Sequence, residues 1–526
     1  MGFDETWDVI VVGFGHAGGI SAINAADQGA RTLVVEKSPV PGGLSICSYG
    51  AVRSARDREG AYDYLTATCA GRTPAAVLRT LADGMCELEA YVRELARVNG
   101  AVIETSIEQN AKAEAATDPY RRRISANYPL PGTESFYHTS VIDVPGFDAR
   151  AEYPWANGAP NGPKLFKVVH DNVARRGIEV RLATPAQRLV TDPATREVLG
   201  IEVGAPGATR RLRARRGVVL ACGGFEANGA MKQQFFEGQP VLNAAARCNE
   251  GDGIRMAQAL GAGLWHMWHV HGAYGFRHTD PSYPYGIRAK RFPDWFPGES
   301  DRPRIPMAWI LLDRFGRRFM SEYQPYSQDT CIRPLMQLDP VTQSFPRNPA
   351  FLVCDEAGRR LYPLGKPTSN DPGIRYEWSE DNLREVDNGI LTRAATLEEL
   401  FERLGFDADA VRAGVASIAR WNTLCAAGRD EDFGRPPGSM RPIIEPPFIG
   451  APVQATLSNT QGGPVHDEHS RILDVWGEPI PRLYAAGEMG SAFGHLYFSG
   501  ANIAECFVTG RVAGSAVARE AAGAWA

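Results

Sequence analysis

Gly13, Gly15 and Gly18 fall in the spacing GxGxxG, and Glu36 closes the apolar run TLVVE that follows. A dinucleotide needs that set. Gly13 permits a tight turn, Gly15 lets backbone approach a pyrophosphate, and Gly18 lets the next helix pack closely on the strand. The helix N-terminus then faces the negative charge, and Glu36 can accept from a ribose hydroxyl. These residues work only if a strand precedes the glycines and a helix follows them. TWDVIVVGFGHAGGISAINAADQGARTLVVEK has that form, because a β-branched run stops at glycines and restarts after an Ala-rich stretch.

Further segments favour FAD over NAD. Lys37 leads into PGGLSICSYG, where Gly42, Gly43 and Ser45 can run along a pyrophosphate and flavin. VVLACGGF, with Gly223, resembles the strand that passes beneath the adenine end in two-domain flavoproteins. LYAAGEMG puts Gly487 and Glu488 near the ribitol. SGANIAECFVTGRVAG then starts a helix at Asn502 and Ile503 that can stabilise negative charge on the flavin ring.

The chain has 526 residues, which predicts more than one body with a cleft between them. Hydrophobic residues at 44% and charged residues at 22% fit a globular enzyme and exclude a disordered or fibrous chain. The formal net charge is -5, and the short Arg runs at 121–123 and 210–216 read as solvated faces, so no nucleic-acid partner is expected. Nine scattered cysteines without a CxxC fit a reducing compartment with neither a disulfide frame nor a metal site. No apolar run is long enough to span a bilayer, and the acidic N-terminus is unlike a signal peptide, so a soluble cytoplasmic protein is expected.

The expected fold is α/β: a Rossmann-like FAD-binding domain with an inserted α+β substrate, or capping, domain. The first part of the FAD domain covers 1–264, the insert 265–445, and the C-terminal part of the FAD domain 446–526. Helices are expected near Lys164–Arg175 and within GDGIRMAQALGAG, and strands at IEVRLA, REVLGIEVG and RRGVVLAC. From Trp265 the chain is dense in Trp, Tyr, His and Pro, which predicts an irregular wall. WHMWHVH alternates as a strand would, so His266, His269 and His271 read as core or pocket lining rather than metal ligands. TLEELFERLGFDADAVRAGVASIARWNTLCAAG predicts two packed helices.

In this order, GxGxxG with Glu36, PGGLS, VVLACGGF, GDGIRMAQALGA, ILLDRFGRRFMSE, TQGG and LYAAGE with GANIAECFVTGRVAG resemble the fumarate reductase/succinate dehydrogenase flavoprotein superfamily over nearly the whole chain. That resemblance implies transfer of hydride between flavin and a carbon β to an electron-withdrawing group. Some members carry covalent flavin on a histidine soon after the GG pair. PGGLSICSYG has none, which implies non-covalent FAD. The dicarboxylate branch is a poor match, since its substrate arginine and its proton-donor arginine correspond to Phe498 and Gln328.

Tyr497-Phe498-Ser499-Gly500 is instead similar to the Tyr-x-Ser-Gly of 3-ketosteroid Δ4-dehydrogenases. RRFMSEYQPYSQD resembles the segment that carries a catalytic tyrosine in that group, at Tyr326 or else Tyr323. Removing hydrogen from adjacent carbons beside a ketone needs a base for the α-proton, a donor to the developing enolate oxygen and a hydride acceptor. The resemblance implies that Tyr497, Ser499 and Tyr326 supply base and donors, with His495 as a further acid or base. The reading is an FAD-dependent dehydrogenase that forms a C=C bond α,β to the carbonyl of a small-molecule cyclic ketone, a 3-ketosteroid or a smaller ring. A separate electron acceptor completes its turnover. The alternative is an ene-reductase or dehydrogenase of a carboxylic acid, for which Arg277, Arg288 and Arg291 offer a different carboxylate clamp.

Overall fold

A computed structural model describes residues 2–108, 128–204, 207–292, 306–323 and 331–522. The predicted opening unit is present as strand Glu5–Val12, helix His16–Asp27 and strand Thr32–Val35. In the first sheet, strands Arg471–Leu473, Pro479–Ala485, Arg210–Leu220, Glu5–Val12, Thr32–Val35 and Glu179–Arg181 lie side by side in that order. All pair in parallel except the first two, which are antiparallel. A hairpin of Ala186–Thr191 and Val198–Val203 extends from Arg210–Leu220.

The C-terminal half of the central strand, Val9–Val12, is apolar and buried because both of its faces are covered. Val9 and Val11 point into a core shared with Ile20 and Phe507, whereas Ile10 and Val12 point into one shared with Leu33 and Leu220. Each such side chain, fully buried, contributes about 1.5–3 kcal/mol. Helix His16–Asp27 lies against the long closing helix Ala501–Arg519, so the C-terminal segment returns to complete the first domain. A Cβ at Gly514 would stand 2.3 Å from the Ser21 carbonyl oxygen, which fixes how closely the two helices approach.

The second sheet is built on strand Phe448–Thr460. Antiparallel partners Val270–Arg277, Ala350–Asp355 and Thr392–Ala394 flank it, and Val241–Asn243 pairs with it in parallel. Gly286–Ala289 and Gly365–Lys366 extend it beyond Val270–Arg277. The sheet thus takes strands from 265–445 and from both sides of that window. The predicted helix pair is present as Leu397–Arg403 and Ala408–Ala427. Thr396 and Asp407 cap their N-termini, and Gly428 ends the second in the left-handed region.

The segment after Trp265 differs from expectation. Rather than an irregular wall, it contains the eight-residue strand Val270–Arg277. Tyr and Phe fit a pleated, buried surface, and that propensity outweighs the Pro and His around them. WHMWHVH is not one strand either, because His266 has a φ of 53° and the chain turns there before Val270. A third sheet, of Ala51–Ala55, Phe136–Asp143 and Val102–Thr105, lies beside the closing helix. Among the described residues, no helix is long and apolar enough to cross a membrane.

Candidate active site

The glycine turn opens onto a cavity with about 1670 Å3 of empty space counted to its open mouth. Its wall runs from Glu36, Cys222 and Met256, past Gly13, Gly15, Gly43 and Ser45, to Glu488, Tyr497 and Asn502. The turn is shaped by contact. A Cβ at Gly18 would stand 1.9 Å from the Gly13 carbonyl oxygen, and one at Gly13 would stand 2.3 Å from that of Ala221. Ser45 Oγ accepts from the His16 amide at 3.0 Å, which joins the PGGLS loop to the helix start.

Of the predicted cofactor residues, Gly13, Gly15, Glu36, Lys37, Gly43, Ser45, Gly223, Glu488, Asn502 and Ile503 line the cavity. Gly18, Gly42 and Gly487 stand behind the wall as spacers, with Gly42 against Ile46 and Gly487 against Ala17. Glu36 is held by the Phe14 amide at 2.7 Å and the Ser38 amide at 2.8 Å, while burial raises its pKa. Lys37 is engaged by Glu250 and, at 2.9 Å, by Asp252.

These residues fit FAD. Two buried polar groups in the wall, the His16 ring nitrogens and Ser458 Oγ, have no partner among the described residues, as ligand-facing groups would not. Burial pulls His16 down to about 3, so it faces the cavity as a neutral imidazole. The cradle ends at the N-terminus of the closing helix.

Tyr497 lies at that same helix start, 5% exposed, and lines the cavity. Burial raises its hydroxyl well above the ordinary phenol range and Glu488 adds to this, while the amides of Asn502 and Gly500 and the charge of Arg53 act the other way. The phenol is therefore neutral and keeps its proton to donate. Ser499 lines the cavity beside it, and its carbonyl accepts from Arg53 Nε at 2.8 Å. Phe498 turns away into a cluster with Tyr64 and Phe136, at 5.0 and 5.1 Å between ring centres.

His271 is the neighbour that matters most. Its ring lies 4.3 Å from that of Tyr497, and its Nδ1 lies 2.8 Å from Asn459 Oδ1. That acceptor puts the proton on Nδ1 and leaves Nε2 as the basic nitrogen. Asn459 and Gln461 both reach Asn502 Oδ1, at 3.3 and 3.0 Å, tying the long strand of the second sheet to the closing helix. His266 and His269 instead meet the backbone carbonyls of Ser491 and Phe493.

The structure does not bring every expected residue to the cavity. His495 stands off its wall, facing Trp268. Tyr323 packs on Phe292 and Arg291 in the core of the second sheet. Tyr326 lies outside the described residues, as does Gln328. Arg53 escaped sequence reasoning altogether. It is fully buried, its terminal nitrogens have no partner among the described residues, and burial pulls it down to about 10. No motif signalled it, since RSA reads as ordinary strand text.

A sheet with a glycine-turn cradle, a second sheet over its open end and a buried phenol between them define a flavoprotein of the oxidoreductase class. Residues 8–503 match the FAD binding domain family, and the chain belongs to it. It is an FAD-dependent oxidoreductase of the kind that acts on CH–CH bonds. It is 26% identical to 4-oxocyclohexanecarboxylate 2-dehydrogenase of Sinomonas cyclohexanicum, covering 99% of this chain and 94% of that one. It is 28% identical to 3-oxosteroid 1-dehydrogenase of Mycobacterium tuberculosis, covering 94% of each. The solved 3-ketosteroid Δ1-dehydrogenase of Sterolibacterium denitrificans has the same fold, with a TM-score of 0.76, 22% identity and coverage of 98% and 99%.

Proposed function

We propose that the protein dehydrogenates a cyclic ketone, forming a C=C bond α,β to the carbonyl. The observation that carries this reading is a neutral, buried Tyr497 hydroxyl at a helix N-terminus, beside His271, in the cavity that the glycine turn opens. Bound FAD supplies the acceptor for the hydride that leaves the β-carbon. The remaining work falls to the chain. Tyr497 donates to the ketone oxygen as it gains enolate charge, with Ser499 beside it. His271 Nε2, its ring held by Asn459, takes the α-proton. Tyr326 is the second hydroxyl that the family resemblance implies. The balance closes as one proton to His271, one hydride to FAD and one new double bond.

FAD is held without a covalent link, because PGGLSICSYG offers no histidine. A separate electron acceptor restores the oxidised enzyme. Relatives named for a 4-oxocyclohexane acid and for 3-oxosteroids support a ring ketone without deciding its size. The test is anaerobic addition of simple cyclohexanones, 3-ketosteroids and succinate-like acids in turn. Loss of oxidised-flavin absorbance with a ketone supports the reading. Loss with acids lacking a ketone, and with no ketone, overturns it.

A further inference from the structure

One face of the second sheet presents two cations to the cavity, and neither comes from the segments whose motifs mark them for the cofactor. Strand pairing sets Arg288 directly opposite Lys366, and both line the cavity. Like charges in that position repel. On its other side Arg288 faces Gly275, which has no side chain to offer. Among the described residues the Arg288 guanidinium makes no hydrogen bond or ion pair, and Lys366 donates to the Tyr49 hydroxyl at 2.7 Å. The nearby carboxylate of Asp371 is taken by Arg247 and Tyr285. The other arginines named from the sequence point elsewhere, Arg277 to Gln454 and Arg291 to the Tyr323 carbonyl.

We propose that Arg288 and Lys366 bind a carboxylate on the substrate, so that this enzyme acts on a cyclic ketone bearing an acid group on the far side of the ring. The pyrophosphate of the cofactor is provided for by other residues, at Gly13, Gly15 and the start of helix His16–Asp27. Along strand Val270–Arg277, the position opposite Arg288 is Gly275, and His271 lies four residues away. Four residues span about 13 Å, and long cationic side chains reaching in from one end leave room for about one ring before His271 and Tyr497. The ketone meets Tyr497 and the carboxylate meets the cation pair, which fixes which ring carbon faces the flavin. A planar guanidinium can hold a carboxylate by two parallel bonds, with Lys366 as a second charge.

The proposal rests on the ketone-dehydrogenase reading, and its experiment separates the two. The holoenzyme is assayed with a cyclohexanone bearing a 4-carboxylate and with the methyl ester of the same ring. Wild-type kcat/KM is expected to favour the acid by about 10- to 100-fold, the range for hydrogen bonds to a charged group. In Arg288→Met the acid/ester ratio falls towards one, and in Arg288→Lys much of it is retained. Lys366→Met gives the same readout through the other cation, and bound flavin absorbance verifies that each variant is folded. An acid/ester ratio near one in the wild type, or one unaltered in both Met variants, overturns the clamp while leaving the dehydrogenase reading in place. If neither acid, ester nor ketosteroid reduces the flavin, the dehydrogenase reading fails and the clamp falls with it.

Discussion

Replacing Tyr497 with Phe removes one oxygen and leaves the packing in place. The ring keeps its neighbours, His271 at 4.3 Å and Phe493 at 6.0 Å, so the FAD cradle is undisturbed. Loss of the hydroxyl's contact with the amides of Asn502 and Gly500 costs about 1 kcal/mol of stability. Its effect on rate is larger. A donor aimed at developing enolate charge in a buried site contributes about 3–4 kcal/mol, so flavin reduction by a ketone should slow by about 100- to 1,000-fold. Stopped-flow mixing under anaerobic conditions measures that step directly. A second readout separates donor from base. Because burial raises the phenol well above its ordinary range, Tyr497 stays protonated through neutral pH, and wild type and variant should share the same limbs in their pH–rate profiles. A slowing of less than about tenfold, or a basic limb present only in the wild type, would refute the assignment of Tyr497 as donor.

Other consequences follow from the same geometry. Gly18→Ala would set a methyl 1.9 Å from the Gly13 carbonyl oxygen, so the turn must open. Such overpacking costs about 1–3 kcal/mol or more, and the purified variant should carry little flavin; a fully loaded variant with the wild-type Tm contradicts the turn's role. Burial pushes Glu226 and Glu505 up to about 7 from 4.5. The folded state therefore holds protons that the unfolded state releases between those values, and stability declines as pH rises from about 5 to about 7. Thermal melts across that window check the sign, and Glu505→Gln should flatten the slope; a Tm that climbs with pH is the opposing result. Denaturation in acid should release FAD into the supernatant, and yellow colour retained in the protein pellet would mean a covalent link.

How much of this could be read from the residues alone depended on the range of the signal. The βαβ unit, the glycine turn and the capped helices at Thr396 and Asp407 are local devices, with each cause within a few residues of its effect. The segment after Trp265 was harder, because strand Val270–Arg277 is stabilised by pairing with Phe448–Thr460, almost two hundred residues away. The site divides in the same manner. The place of Tyr497 on the cavity wall was legible because it sits in a motif against the closing helix. His271 was legible only as pocket lining, because its orientation is set by Asn459 across the sheet. Lys366 and Arg53 carried no signal, since one meets Arg288 only through strand register and the other is placed only by burial beneath Ser499 and Phe498.

The central claim is that a ring ketone loses one proton and one hydride in a single passage through the cavity. The most direct measurement is a single anaerobic turnover of the holoenzyme with a cyclic ketone, with the product identified by mass and by the position of its double bond. The account predicts one product molecule per flavin reduced, lighter by two hydrogens and unsaturated between the α and β carbons. Flavin reduction without such a product, or a product unsaturated away from the carbonyl, would contradict it.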